Sequence, residues 1–197
     1  VKNGFSDPEI ANFISYRFLA VMVLAFPLGF FIKGKKLKPF FLIGSIGVPT
    51  VAIIMILSIK LQLFSLLPFL FVLWGVVFTS FHVSSLPFVM RNTSVENRSH
   101  AISLNYATHS FGTILSGILI YTLSQTIKDI DEGKMLILIA LISYVGLYFL
   151  MRLKIDKVIV KSEKKGIQLK LYNWNLLLKA LIPTFIIAVG AGLTIPF

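Results

Sequence analysis

Long apolar runs alternate with short polar gaps along this chain. No residue is ionised between Lys38 and Lys60, from Leu61 to Met90, or from Met135 to Met151. Phe18–Ile32, Ala101–Ile127 and Ala180–Phe197 are likewise free of Asp, Glu, Lys and Arg. About 20 apolar residues carry a helix across a hydrocarbon core roughly 30 Å thick. The pattern therefore predicts six spans, at Asn12–Ile32, Pro39–Ile59, Gln62–Met90, Ala101–Leu123, Lys134–Arg152 and Asn173–Phe197. The third exceeds the length of one crossing, which predicts a tilt or an extension beyond the bilayer. The fold class that follows is all-α, a polytopic helical membrane protein, because a helix satisfies its own backbone inside lipid.

Charge adds an orientation. The gaps at Lys33–Lys38, Arg91–Arg98 and Arg152–Lys170 hold 13 basic residues against the three acids Glu96, Asp156 and Glu163. The other gaps hold Lys2, Lys60, Lys128 and Lys134 against five acids, Asp7, Glu9, Asp129, Asp131 and Glu132. Lys and Arg of short loops stay cytoplasmic. The first set is thus predicted inside and the start of the chain outside. The net charge of +11 has a topological cause; nucleic-acid binding would not explain its alternation, and no nucleic-acid partner is expected. The longest polar stretch, 154–172, divides the chain into five helices (1–153), a basic cytoplasmic connector and the first helix of a second group (173–197). That connector reads as an interfacial helix on anionic lipid or as a flexible linker.

Composition agrees with the membrane reading. Hydrophobic residues make up 56% and charged residues 14%, with a mean hydropathy of +0.87, against about a quarter charged in soluble chains. Cys is absent, which removes disulfides, thiolate metal sites and cysteine nucleophiles. No secretory signal is visible. The chain starts without Met and stops inside an apolar run, so it is expected to be a fragment, and its membrane is expected to be the cytoplasmic one.

The ordered motifs resemble the major facilitator superfamily of secondary transporters. Gly4-Phe5-Ser6-Asp7 and Glu9-Ile10 resemble the external loop after the family's first helix. Gly29 to Pro39 (GFFIKGKKLKP) stands where the family carries its G-x-x-x-D-(R/K)-x-G-(R/K)-(R/K) loop. Gly29 and Lys38 agree with that motif, and Lys33 replaces its Asp. Glu96-Asn97-Arg98 resembles the loop between the fourth and fifth helices. Gly112 to Gly117 stands where antiporters carry G-P-x-x-G-G, with Thr113 in place of Pro. Gly190 to Phe197 resembles the seventh helix. The resemblance implies that the six spans are the family's second to seventh helices, part of a two-halved bundle. It implies alternating-access transport of a small solute, with a proton or sodium as the coupling ion.

Candidate chemistry is sparse. No Asp or Glu lies inside a span, so ionisable groups in lipid reduce to a few, and each is a functional candidate. His82 lies about nine residues before Arg91 and His109 about eight after Ala101, each some 12–14 Å from the cytoplasmic end. The hairpin of the third and fourth spans puts them at one depth. His82 continues a stripe through Gly75, Thr79 and Ser85; His109 continues one through Asn105, Gly112, Thr113 and Ser116. The stripes read either as a polar cavity wall or as tight packing by small residues. Arg17 and Lys179 are pathway candidates or snorkelling cations. Pro27, Pro49, Pro68, Pro87, Pro183 and Pro196 are expected kinks. Nucleotide loops, zinc spacings and nucleophile elbows are absent, and no cofactor is expected. A lipid-modifying intramembrane enzyme and a non-transporting scaffold or receptor are the rival classes.

Overall fold

The computed structural model describes residues 5–126, 131–153 and 174–194. The described residues are mainly helical: α1 (Asp7–Phe31), α2 (Lys38–Lys60), α3 (Leu67–Asn92), α4 (Arg98–Thr126), α5 (Glu132–Ser143), α6 (Val145–Arg152) and α7 (Trp174–Thr194). The chain divides between residues 160 and 161 into two units, the first holding α1–α6 and the second α7. The basic connector, 154–172, lies outside the described residues, as does Pro196.

Four segments are long and apolar enough to cross a membrane: Asp7–Phe31, Lys38–Lys60, Phe64–Asn92 and Glu132–Arg152. The expected fourth and sixth spans are the helices α4 and α7, which stand outside that set. In α4 the physical reason is its polar content, which includes His100, Asn105, Thr108, His109, Thr113, Ser116, Thr122 and Gln125. Large apolar side chains such as Met22, Phe26, Phe69 and Phe149 lie more than 60% exposed. Such a surface suits hydrocarbon rather than water.

Helix ends follow local chemistry. The Ser6 backbone N–H and hydroxyl both donate to the Glu9 carboxylate at 2.8 Å, starting α1 with a capping box. Pro8, Pro39 and Pro68 sit in first turns, where a missing N–H costs no helical bond. Pro68 is therefore a helix start, not the kink expected of it. Pro27, Pro49, Pro87 and Pro183 do lie within helices. The start of the third span is not α-helical. Gln62 adopts a positive φ of 57°, a 3₁₀ turn covers Phe64–Leu66, and only then does α3 begin. The fifth span is broken without a proline. At Tyr144 the bonding tightens, with Tyr144 N–H to the Leu141 carbonyl and Leu147 N–H to the Tyr144 carbonyl. The Tyr144 hydroxyl lies 2.6 Å from Thr50 Oγ1 of α2.

Within the first unit α3 packs against α1, α2 and α4, and α2 packs against α3, α5 and α6. Small residues make the seams. A Cβ on Gly44 would strike Phe81, and one on Gly47 would meet Val77 at 2.7 Å. On the other side of α3, a Cβ on Gly75 would lie 2.5 Å from the Arg17 carbonyl and 2.8 Å from Ala20. Close approach of this kind replaces the hydrophobic effect as the glue between helices in lipid. Because α4 also touches α5, the helices α2, α3, α4 and α5–α6 close a ring, with α1 outside it against α3.

The two ends of this ring differ in charge. Arg91 donates to the Lys35 carbonyl at 2.8 Å and to the Ile32 carbonyl at 3.2 Å, fastening the end of α3 to the turn after α1. Lys38 donates to the carbonyls of Met151 at 3.0 Å and Leu153 at 3.2 Å, fastening the start of α2 to the end of α6. At the opposite end Lys60 and Asp131 form a 3.0 Å ion pair. The hydrogen bonds from Lys60, and then its charge, hold the Asp131 carboxyl below the usual carboxylate range. The sorting of loops by charge thus coincides with their sorting by end.

Candidate functional site

The helices of the ring border an open-sided cavity of about 670 Å³, within the size range of small-molecule sites. Its wall is drawn from the first turns of α2 (Phe41 to Pro49), the last turns of α3 (Phe78 to Val89), the start of α4 (Asn105, His109) and the α5–α6 break (Ser143 to Leu153). All four contributions lie in the half nearer the basic end, where α2 and α4 begin and α3 and α6 finish.

Four residues singled out by helical spacing meet there: His82, Ser85, Asn105 and His109. Their stripes lie on adjacent antiparallel helices, so equal distance from the turn becomes equal depth. Ser85 ties the two helices, its hydroxyl donating to Asn105 Oδ1 at 3.0 Å. His82 stacks on Phe78, with centroids 5.3 Å apart and planes 15° from parallel.

Thr79 does not join them. It is 1% exposed, and its hydroxyl donates to the Gly75 carbonyl at 2.6 Å. At the depth of Gly75 the face is covered by α1, so the stripe there is packing. Thr113 also stays out of the cavity wall. It is exposed and donates to the His109 carbonyl at 3.1 Å.

Arg17 lies on the far side of Phe78. Its guanidinium stands 4.2 Å from the Trp74 ring, 4.7 Å from Phe78 and 5.4 Å from Phe18, a stack of cation–π contacts. Arg17 Nε and Trp74 Nε1 are buried without hydrogen-bond partners among the described residues. Lys179 is exposed on α7. Of the loop-motif residues, Lys38 makes the α6 tether, Gly29 is exposed with open space about it, Glu96 is exposed, and Arg98 has a buried Nε without a partner.

No family model, no curated protein and no solved structure matches this chain. The site is therefore described by its own chemistry. Sequence reasoning missed the contributions of α2 and α5–α6. Gly44-Ser45 one turn before Pro49 is the signal on α2, since small residues mark a close approach; Ser143 and Gly146 give the same signal beside Tyr144. Five Phe side chains, Phe41, Phe78, Phe81, Phe88 and Phe149, supply the apolar wall. No Asp, Glu, Lys or Arg lies among the lining residues.

Proposed function

We propose that this chain is part of a secondary transporter of a small solute, of major-facilitator type, working by alternating access in the cytoplasmic membrane. The observation that supports it is the meeting of His82, Asn105 and His109 from separate helices in one cavity of a bundle with membrane-crossing helices. A polar group in lipid is costly unless a neighbour or water satisfies it. Imidazoles bordering an aromatic-walled cavity suit reversible binding of a solute, a proton, or both. Rocking of helical groups about such a site would expose it to one side and then to the other.

This stretch contributes no Cys, so single cysteines placed in it report without background once any elsewhere in the full-length protein are replaced. Ser45→Cys and Asn105→Cys in the full-length protein should react with an impermeant thiol reagent applied from either side of sealed vesicles. Reaction from one side alone, at both positions and with the protein folded, would overturn alternating access.

A further inference from the structure

The cavity wall holds hydrogen-bond donors free for a ligand and no carboxylate. Asn105 spends its oxygen on Ser85, which leaves its amide N–H groups without a protein partner among the described residues. His82 and His109 each bring a ring N–H, and Ser45 a hydroxyl. No carboxylate stands in the wall. A bound organic cation would find ring faces and neutral acceptors there but no carboxylate to neutralise it. A bound anion would meet donors, and imidazoles able to take up a proton.

The charged groups nearest the wall have the same sign. On α2, Lys38 precedes the lining residue Phe41 by three positions, and on α3, Arg91 follows Val89 by two. On α6, Arg152 adjoins the lining residue Leu153, and on α1 Arg17 lies behind Phe78. The titratable groups of the wall itself are His82 and His109. The apolar part of the wall is aromatic on α2, α3 and α6, so it offers ring faces and edges to a flat hydrocarbon body.

We infer that the cavity binds amphipathic aromatic organic anions, a fused ring bearing a carboxylate being the simplest, and rejects the matching cations. The carboxylate sits against Asn105 and His109, and the ring among Phe41, Phe78 and Phe149. The inference rests on the cavity assigned above to solute binding, but it does not require transport.

The test uses the full chain in lipid nanodiscs and three probes that share one ring system: naphthoate, naphthylmethanol and naphthylmethylamine. Equilibrium dialysis should show naphthoate binding at least tenfold more tightly than naphthylmethylamine, with naphthylmethanol between them. Asn105→Leu and His109→Leu should each weaken naphthoate about tenfold while changing naphthylmethanol little; Ile114→Ala should change neither. Equal or tighter binding of the amine would overturn the inference. So would naphthoate binding that survives both cavity substitutions in protein of unchanged melting temperature, since the anion would then lie elsewhere. Binding of naphthoate without movement across vesicles leaves the ligand class standing and removes the transport reading. Movement of the amine without binding of naphthoate does the reverse.

Discussion

Helices α3 and α4 carry the same kinds of polar residue and use them differently. On α3 the hydroxyls of Thr79, Ser80 and Ser84 are buried, and each donates to the carbonyl one turn back. On α4 no side chain is buried among the described residues, and Thr108, Thr113 and Ser116 bond back in the same way on an exposed surface. A hydroxyl can satisfy itself on its own helix, so its presence in a membrane helix says little about function. A carboxamide can do the same, as Asn92 does in donating to the Phe88 carbonyl at 2.8 Å. Asn105 instead bonds across to Ser85 of the neighbouring helix, and it borders the cavity with His82 and His109. The difference teaches that within a polar stripe the partner, on the same helix or on another, separates packing from chemistry.

The sharpest way to break this contrast is to fill the seams. Gly75→Leu forces atoms into the Arg17 carbonyl, and overpacking costs about 1–3 kcal/mol. Gly112→Leu on α4 meets nothing within 4 Å and should be neutral or slightly stabilising, since Leu is the better helix former by about 0.8 kcal/mol. Thermal unfolding in one detergent compares the two; equal losses would show that α4 is as tightly packed as α3.

Removing the tethers of the basic end comes next. Arg91→Met deletes two charge-assisted bonds to carbonyls, a loss of about 1.5–3 kcal/mol discounted for its partial exposure. Denaturant unfolding checks it, and an unchanged midpoint would make the tether cosmetic. His109→Ala removes an exposed side chain from α4, so stability should move by less than about 0.5 kcal/mol. Solute transport per folded molecule should nevertheless fall or change its pH dependence, with Ile114→Ala as the lipid-facing control. A stability loss with specific activity intact would reduce His109 to packing.

The smallest effect belongs to the Lys60–Asp131 pair, both partners of which are exposed. The folded carboxyl titrates below its unfolded value. Its contribution is therefore present above the ordinary carboxylate range and is lost as pH falls through the lowered folded value. Asp131→Asn should lower the melting temperature slightly near pH 7 and by less at about pH 3, below the ordinary carboxylate value. An equal difference at both values would assign the effect to something other than charge.

Much of this was legible in the sequence. Charge-free runs located the helices, and counting residues from the turn placed His82 and His109 at one depth. Periodicity failed where the neighbour decides the outcome. It could not tell that α1 covers α3 at Gly75, which makes Thr79 structural, nor that α2 completes the cavity wall. The gap after Ile59 did mark the turn that Gln62 makes. The break at Tyr144 was illegible for another reason: no proline stands there, and the Thr50 hydroxyl bonded to Tyr144 is 94 residues away in the chain.

The backbones of α1 and α2 do not pack against each other, although the helices are consecutive and joined by a short turn; α3 packs against both. Their contacts are confined to side chains beside that turn, such as the Phe31 and Phe40 rings with centroids 6.0 Å apart. During synthesis α1 and α2 therefore cannot be released as a finished hairpin. Until α3 emerges, the faces carrying Ala20 and Gly44 lack the partner they have in the folded unit. Helix α3 acts as a keystone, and a ribosome pausing before it would leave α1 and α2 without their shared neighbour.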